Sequence, residues 1–171
     1  MTLRAAAVLV VLTDTPHGPA ALITERAPDL THYPGQLVFP GGAADAGDQN
    51  AVATALREAC EETGLDSGSV HILGRLPAIA LPESGFLLTP VLAWSAKPLF
   101  TGTLNMAEVT RLITLPLSPG EGIKQWTAEP ASETGISAND RAAAPGAISQ
   151  TILELLRGML LGTGETRISE D

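Results

Sequence analysis

Residues 41–65 read GGAADAGDQNAVATALREACEETGL, and the run Arg57-Glu58-Ala59-Cys60-Glu61-Glu62-Thr63-Gly64-Leu65 at its end is the most informative in the chain. A helix turns about 100° per residue. Positions i, i+3 and i+4 therefore share a face, which puts Glu58, Glu61 and Glu62 within roughly a 100° arc. Val52, Leu56, Ala59 and Cys60 fall on the other side, so the spacing predicts an amphipathic helix with one packed face and one face of carboxylates. Gly64 marks its end.

Local rules disfavour this helix as a purely structural element. Glu58 and Glu62 are like charges one turn apart, at a cost of a few tenths of a kcal/mol. The glutamates crowd the last two turns, where the helix dipole favours cations. Arg57 can pair with Glu61, although Arg before Glu is the weaker order. A divalent cation would relieve the whole arrangement, and hard oxygen ligands suit Mg²⁺ or Mn²⁺. An ordinary solvated acidic face explains an isolated Glu-Glu pair, but not this pair with an Arg-Glu one turn earlier and a Gly-Gly loop upstream.

The run resembles the Nudix box, G-x5-E-x7-R-E-U-x-E-E-x-G-U, where U is a bulky aliphatic. Its second half matches throughout, with the small Ala59 at one U position. In the first half Gln49 and Ala43 stand where the pattern has Glu and Gly. The loop reads instead as one residue longer, with Gly42 as the glycine and Asp48 in place of the glutamate. Longer loops of this GGxxDxxD type occur in proteins that resemble coenzyme A pyrophosphatases. Upstream, residues 22–42, LITERAPDLTHYPGQLVFPGG, resemble the signature of that subgroup, L-L-T-x-R-[SA]-x3-R-x3-G-x3-F-P-G-G. Thr24, Arg26, Ala27, Gly35 and Phe39 to Gly42 are in register. Thr31 stands where the signature has a second Arg, and Tyr33 where a His is common.

The chain has 171 residues, 44% of them hydrophobic, enough for one domain with a real core. A net charge of −9 argues against nucleic acid held through its phosphates. It does not argue against a small phosphate ester held through a cation. The single cysteine, Cys60, has no internal partner and reads as a packing residue in a reducing compartment. No apolar run reaches membrane-spanning length and no export signal is evident, so the expectation is a cytoplasmic protein.

Residues 5–12, AAAVLVVL, suit a strand buried on both faces. A turn at 16–19 joins it to a second strand at 20–24. Asp48 is expected to cap a helix from about residue 49 to 63. Further strands are expected at 70–76, 78–81 and 86–94, with a Pro82–Gly85 turn. Residues 119–146 lack periodicity and read as a mobile lid or as a segment holding an unrecognised strand, with Lys124 and Trp126 its most notable residues. A last helix spans 148–161, with Ile152, Leu155, Leu156 and Met159 as its core stripe. The tail, 162–171, is expected to be loose.

Periodicity alone yields an α/β (α+β) domain. The resemblance, over roughly residues 5–118 and the last helix, implies a single Nudix domain over 1–171, a mixed β-sheet sandwiched between helices. It implies that Glu58, Glu61 and Glu62, with a Gly42 carbonyl, hold Mg²⁺ or Mn²⁺, and that Arg57 orients a glutamate. Arg26, Phe39, Gly41 and Gly42 would meet substrate, and Glu108 or Glu83 is the candidate additional base. The implied reaction cleaves a diphosphate linkage, first in coenzyme A or acyl-CoA, giving 3′,5′-ADP and phosphopantetheine. Other nucleoside diphosphate derivatives such as ADP-ribose or NADH, a nucleoside triphosphate, or a catalytically silent ligand-sensing role are the alternatives. Partners would be a small nucleotide and, in a homodimer, a second copy; no nucleic acid or membrane is expected.

Overall fold

The computed structural model describes residues 2–16, 18–117, 129–130, 145–160, 162 and 168–169. Lys124, Trp126, most of 119–146 and most of the tail lie outside the described residues. Among those described, nine strands form one mixed sheet. They are β1 (Arg4–Thr15), β2 (Gly18–Arg26), β3 (Leu37–Val38), β4 (Gly41–Ala43), β5 (His71–Arg75), β6 (Ile79–Leu81), β7 (Phe86–Trp94), β8 (Val109–Pro116) and β9 (Glu129–Pro130). The main order is β5-β7-β1-β2-β8-β9, with β3 on β2, β4 on β1 and β6 on β7. Two helices are present, α1 (Ala51–Thr63) and α2 (Ala147–Leu160).

β1 is the axis of the sheet. It runs parallel to β7 and antiparallel to β2 and β4. Alternate residues of a strand face opposite ways. Ala7, Leu9 and Val11 pack with Ala55 and Ala59 of α1, while Val10 packs with Ile152, Leu153 and Leu156 of α2. The apolar run is thus buried on both sides, and the sheet lies between two helices as expected.

Several sequence expectations need correction. Asn50, not Asp48, caps α1: its backbone is extended, and its side-chain Oδ1 accepts from the Ala53 N–H at 3.0 Å. The packed stripe of α1 is Ala55, Ala59 and Glu62, an i, i+4, i+7 series, so Glu62 belongs to the buried face and is only 4% exposed. Cys60, expected to pack, is exposed. Phe39, expected to meet substrate, is 3% exposed in the core under α2. In α2 the buried stripe includes Leu153, with Leu155 and Met159 only partly covered. The strand at β9, paired with β8, falls inside the stretch that showed no periodicity.

Candidate active site

The site is assembled where α1 ends, β4 pairs with β1, and the chain re-enters β8. Gly64 closes α1 in the left-handed conformation, its N–H donating to Cys60 O at 2.9 Å. Residue 105 is tied to that end, its N–H donating to the Glu62 carbonyl at 2.9 Å. A turn then leads to Glu108, whose carbonyl accepts from the Ala27 N–H at 2.9 Å. The helix end, the β8 approach and the end of β2 are thereby locked together by backbone bonds.

Arg57 is the hub. Its Nε and Nη2 bond Asp48, with Nη2 to Oδ2 at 3.0 Å. Nη2 also donates to Ala43 O at 3.0 Å. Nη1 donates to Glu58 Oε1 at 3.0 Å and to Glu61 Oε2 at 3.1 Å. Arg57 therefore compensates Glu58 and Glu61 within the chain, while Glu62 lies outside its reach of hydrogen bonds. Asp48 is braced in turn, accepting from the Asp45 N–H at 2.9 Å. The guanidinium drives the Asp48 carboxyl far below its usual range, and the same pair raises Arg57. Asp48 thus braces Arg57 from its place in the longer loop, a contact that its merit as a cap hid in the sequence.

The glutamates differ sharply. Glu61 is mostly exposed, its side chain at 56%. Glu58 is half-buried against Gly42, where a Cβ would stand 2.6 Å from Oε1. Burial raises its pKa, against the pull of Arg57. Glu62 is the most perturbed: burial pushes it up to about 8, opposed by the Gly41 N–H, which donates to Oε2 at 3.1 Å. The charges of Glu108 and Glu58 raise it further, while Arg26 lowers it. The charge of Glu108 thus reaches both Glu58 and Glu62, and that of Arg26 reaches Glu62. Glu83 sits on the exposed turn before β7 and is not among the principal charges acting on Glu58 or Glu62.

Among the described residues, no three acidic, histidine or cysteine side chains already converge into a metal-ligand group. The chemistry of the donors nonetheless fits a hard divalent cation. Two carboxylates, Glu58 and Glu62, are held in a poorly solvated place beside a third, with one amide and one guanidinium as their bonded partners. Burial disfavours their charged form, and a bound divalent cation would favour it.

The sequence matches the family model of the NUDIX domain over residues 3–102. A Yersinia pestis (strain Pestoides F) protein named Uncharacterized Nudix hydrolase NudL is 39% identical over 126 residues, covering 73% of this chain and 61% of that protein. The chain thus spans about three-fifths of the length of the curated relatives it matches. Among solved structures, the Nudix hydrolase RenU from M. Smegmatis has 27% identity and a TM-score of 0.52, covering 65% of this chain and 69% of its own. The NUDIX domain of Shewanella oneidensis NrtR, solved with ADP ribose, shares the fold at 15% identity, with a TM-score of 0.56 over 94% of this chain and 90% of its own. With its acidic helix, its glycine loop and a family match over more than half its length, this chain belongs to the Nudix family.

Proposed function

We propose that the chain is one Nudix hydrolase unit that cleaves a diphosphate linkage in a nucleoside diphosphate derivative, with coenzyme A or an acyl-CoA as the first substrate. The observation that carries the reading is the half-buried Glu58 lying against Gly42 beside the buried Glu62 bonded to the Gly41 N–H, with the charge of Arg26 reaching Glu62. Glu58, Glu61, Glu62 and the Gly42 carbonyl would hold Mg²⁺ or Mn²⁺. When bound, such an ion neutralises phosphate oxygens and activates water for attack. Arg57 fixes the Glu58 carboxylate through Oε1, and Asp48 fixes Arg57. Arg26 binds a substrate phosphate. Glu108, whose charge reaches both Glu58 and Glu62, would take a proton from the attacking water.

Coenzyme A is favoured by the register of residues 22–42 with the subgroup signature. Thr31, in place of the second Arg, favours the second reading, ADP-ribose or a related nucleotide. Incubating the protein with coenzyme A and Mg²⁺ or Mn²⁺, with Glu62→Gln as control, should give 3′,5′-ADP from the wild type alone. Turnover of ADP-ribose but not coenzyme A keeps the chemistry and overturns the substrate. No turnover of any nucleotide with either metal overturns the enzyme reading.

A further inference from the structure

We propose that Tyr33 is the residue that stacks on the planar base of the substrate nucleotide; this rests on the reading of the chain as a hydrolase of nucleoside diphosphate derivatives. The loop 27–36 springs from the rim of the site. Its mouth is closed by the Arg26 N–H to Gln36 O at 3.0 Å and the Gly35 N–H to Arg26 O at 3.2 Å. Its first residue, Ala27, is bonded to the Glu108 carbonyl. Its tip, Thr31 to Pro34, is exposed throughout.

Tyr33 has φ +55°, and it is the one non-glycine residue with positive φ among those described. That conformation is unfavourable for a bulky side chain. The following Pro34 further restricts the backbone before it. Packing does not repay the strain: Tyr33 is 48% exposed, and its recorded ring neighbour is His32, 6.5 Å away and tilted by 45°. Strain kept at an exposed position beside a reactive centre is a recurrent mark of a ligand contact.

The tip is strapped to Arg26, the proposed phosphate ligand. Arg26 Nε donates to the His32 carbonyl at 3.1 Å, and the same guanidinium acts on Glu62. A phosphate held by Arg26 therefore brings its nucleoside beside residue 33. Other aromatic residues are ill placed for this. Phe39 is in the core, Phe100 packs on the second core, Phe86 lies under Arg4, and Trp94 is half-buried in β7. Among the described Phe, Tyr and Trp residues, Tyr33 is the exposed one.

Tyr33 is also the chain's sole tyrosine, so its ring protons form a unique NMR spin system. On addition of millimolar 5′-AMP, those protons should shift upfield and show Overhauser contacts to the adenine H2 or H8. In parallel, Tyr33→Gly, which accepts positive φ without strain, should fold normally. It should raise KM for coenzyme A, or for whichever adenine nucleotide is turned over, by about tenfold with kcat nearly unchanged. Tyr33→Phe should keep the wild-type KM. Absence of the adenine contacts, or an unchanged KM in Tyr33→Gly, overturns the proposal. The NMR arm decides it even where no nucleotide is hydrolysed, an outcome that counts against the enzyme reading instead.

Discussion

Gly42 and Glu58 are in contact, so that a Cβ on Gly42 would stand 2.6 Å from Glu58 Oε1. The neighbouring Gly41 meets a different obstacle, the Val8 Cα at 2.6 Å. Two adjacent glycines are thus required for different reasons, one by a carboxylate and one by the β1 backbone.

Their alanine variants should separate accordingly. Gly42→Ala displaces a side chain that can move. It should keep most of the stability but weaken Mn²⁺ affinity and kcat by about tenfold or more, as happens when a ligand's support is disturbed. Gly41→Ala presses on backbone and should lower stability by about 1–3 kcal/mol. Urea melts and metal titrations of both variants check this.

Asp48 holds Arg57 with two oxygens and is itself nearly covered, its side chain 7% exposed. Asp48→Asn leaves the shape and removes the charge. It should cost about 10–100-fold in activity, the usual effect of losing a residue that orients a ligand. Arg57→Lys should behave similarly, because an ammonium cannot reach Asp48, Glu58 and Glu61 in one planar fork. Activity in either variant within twofold of the wild type counts against the hub.

Glu62 sets a pH dependence whose sign is fixed. Its folded pKa, about 8, lies above the ordinary 4.5. The folded state then binds the extra proton between those values. The protonated carboxyl's contribution is fully present below pH 4.5 and is lost as pH rises to about 8. The metal-free protein should lose stability across that window, at most about 1.4 kcal/mol per pH unit from this group. Glu58 is raised as well and acts in the same direction. Asp48 acts in a separate window: its pKa is depressed, so its contribution is lost only as pH falls below its ordinary value near 3.8. Glu62→Gln should flatten the melting temperature between pH 5 and 8, and added Mn²⁺ should flatten it in the wild type.

Much of this was legible in the sequence, for physical reasons that differ from residue to residue. The β1 run was readable because a strand covered on both faces must be apolar throughout, as Leu9 and Val10 show from opposite cores. The span 86–94 matched β7 to the residue. β3 and β4 escaped because two or three residues carry no period. Glu62 was misplaced because helical periodicity sorts residues by polarity, and a carboxylate on the buried stripe breaks that rule. Phe39 was misplaced because a motif names a residue without saying which way it points. Asp48 had two sound uses, and only the neighbouring Asn50 decided between them by taking the cap.

On the proposed function, the end of α1 seats a divalent cation through Glu58, Glu61 and Glu62. Mn²⁺ can be titrated by calorimetry into the wild type and into Glu58→Gln/Glu62→Gln, with thermal melts to confirm that both are folded. Saturable binding is expected of the wild type, with a loss of at least about tenfold in affinity in the variant. Equal binding by the two proteins, or none by the folded wild type, would contradict it.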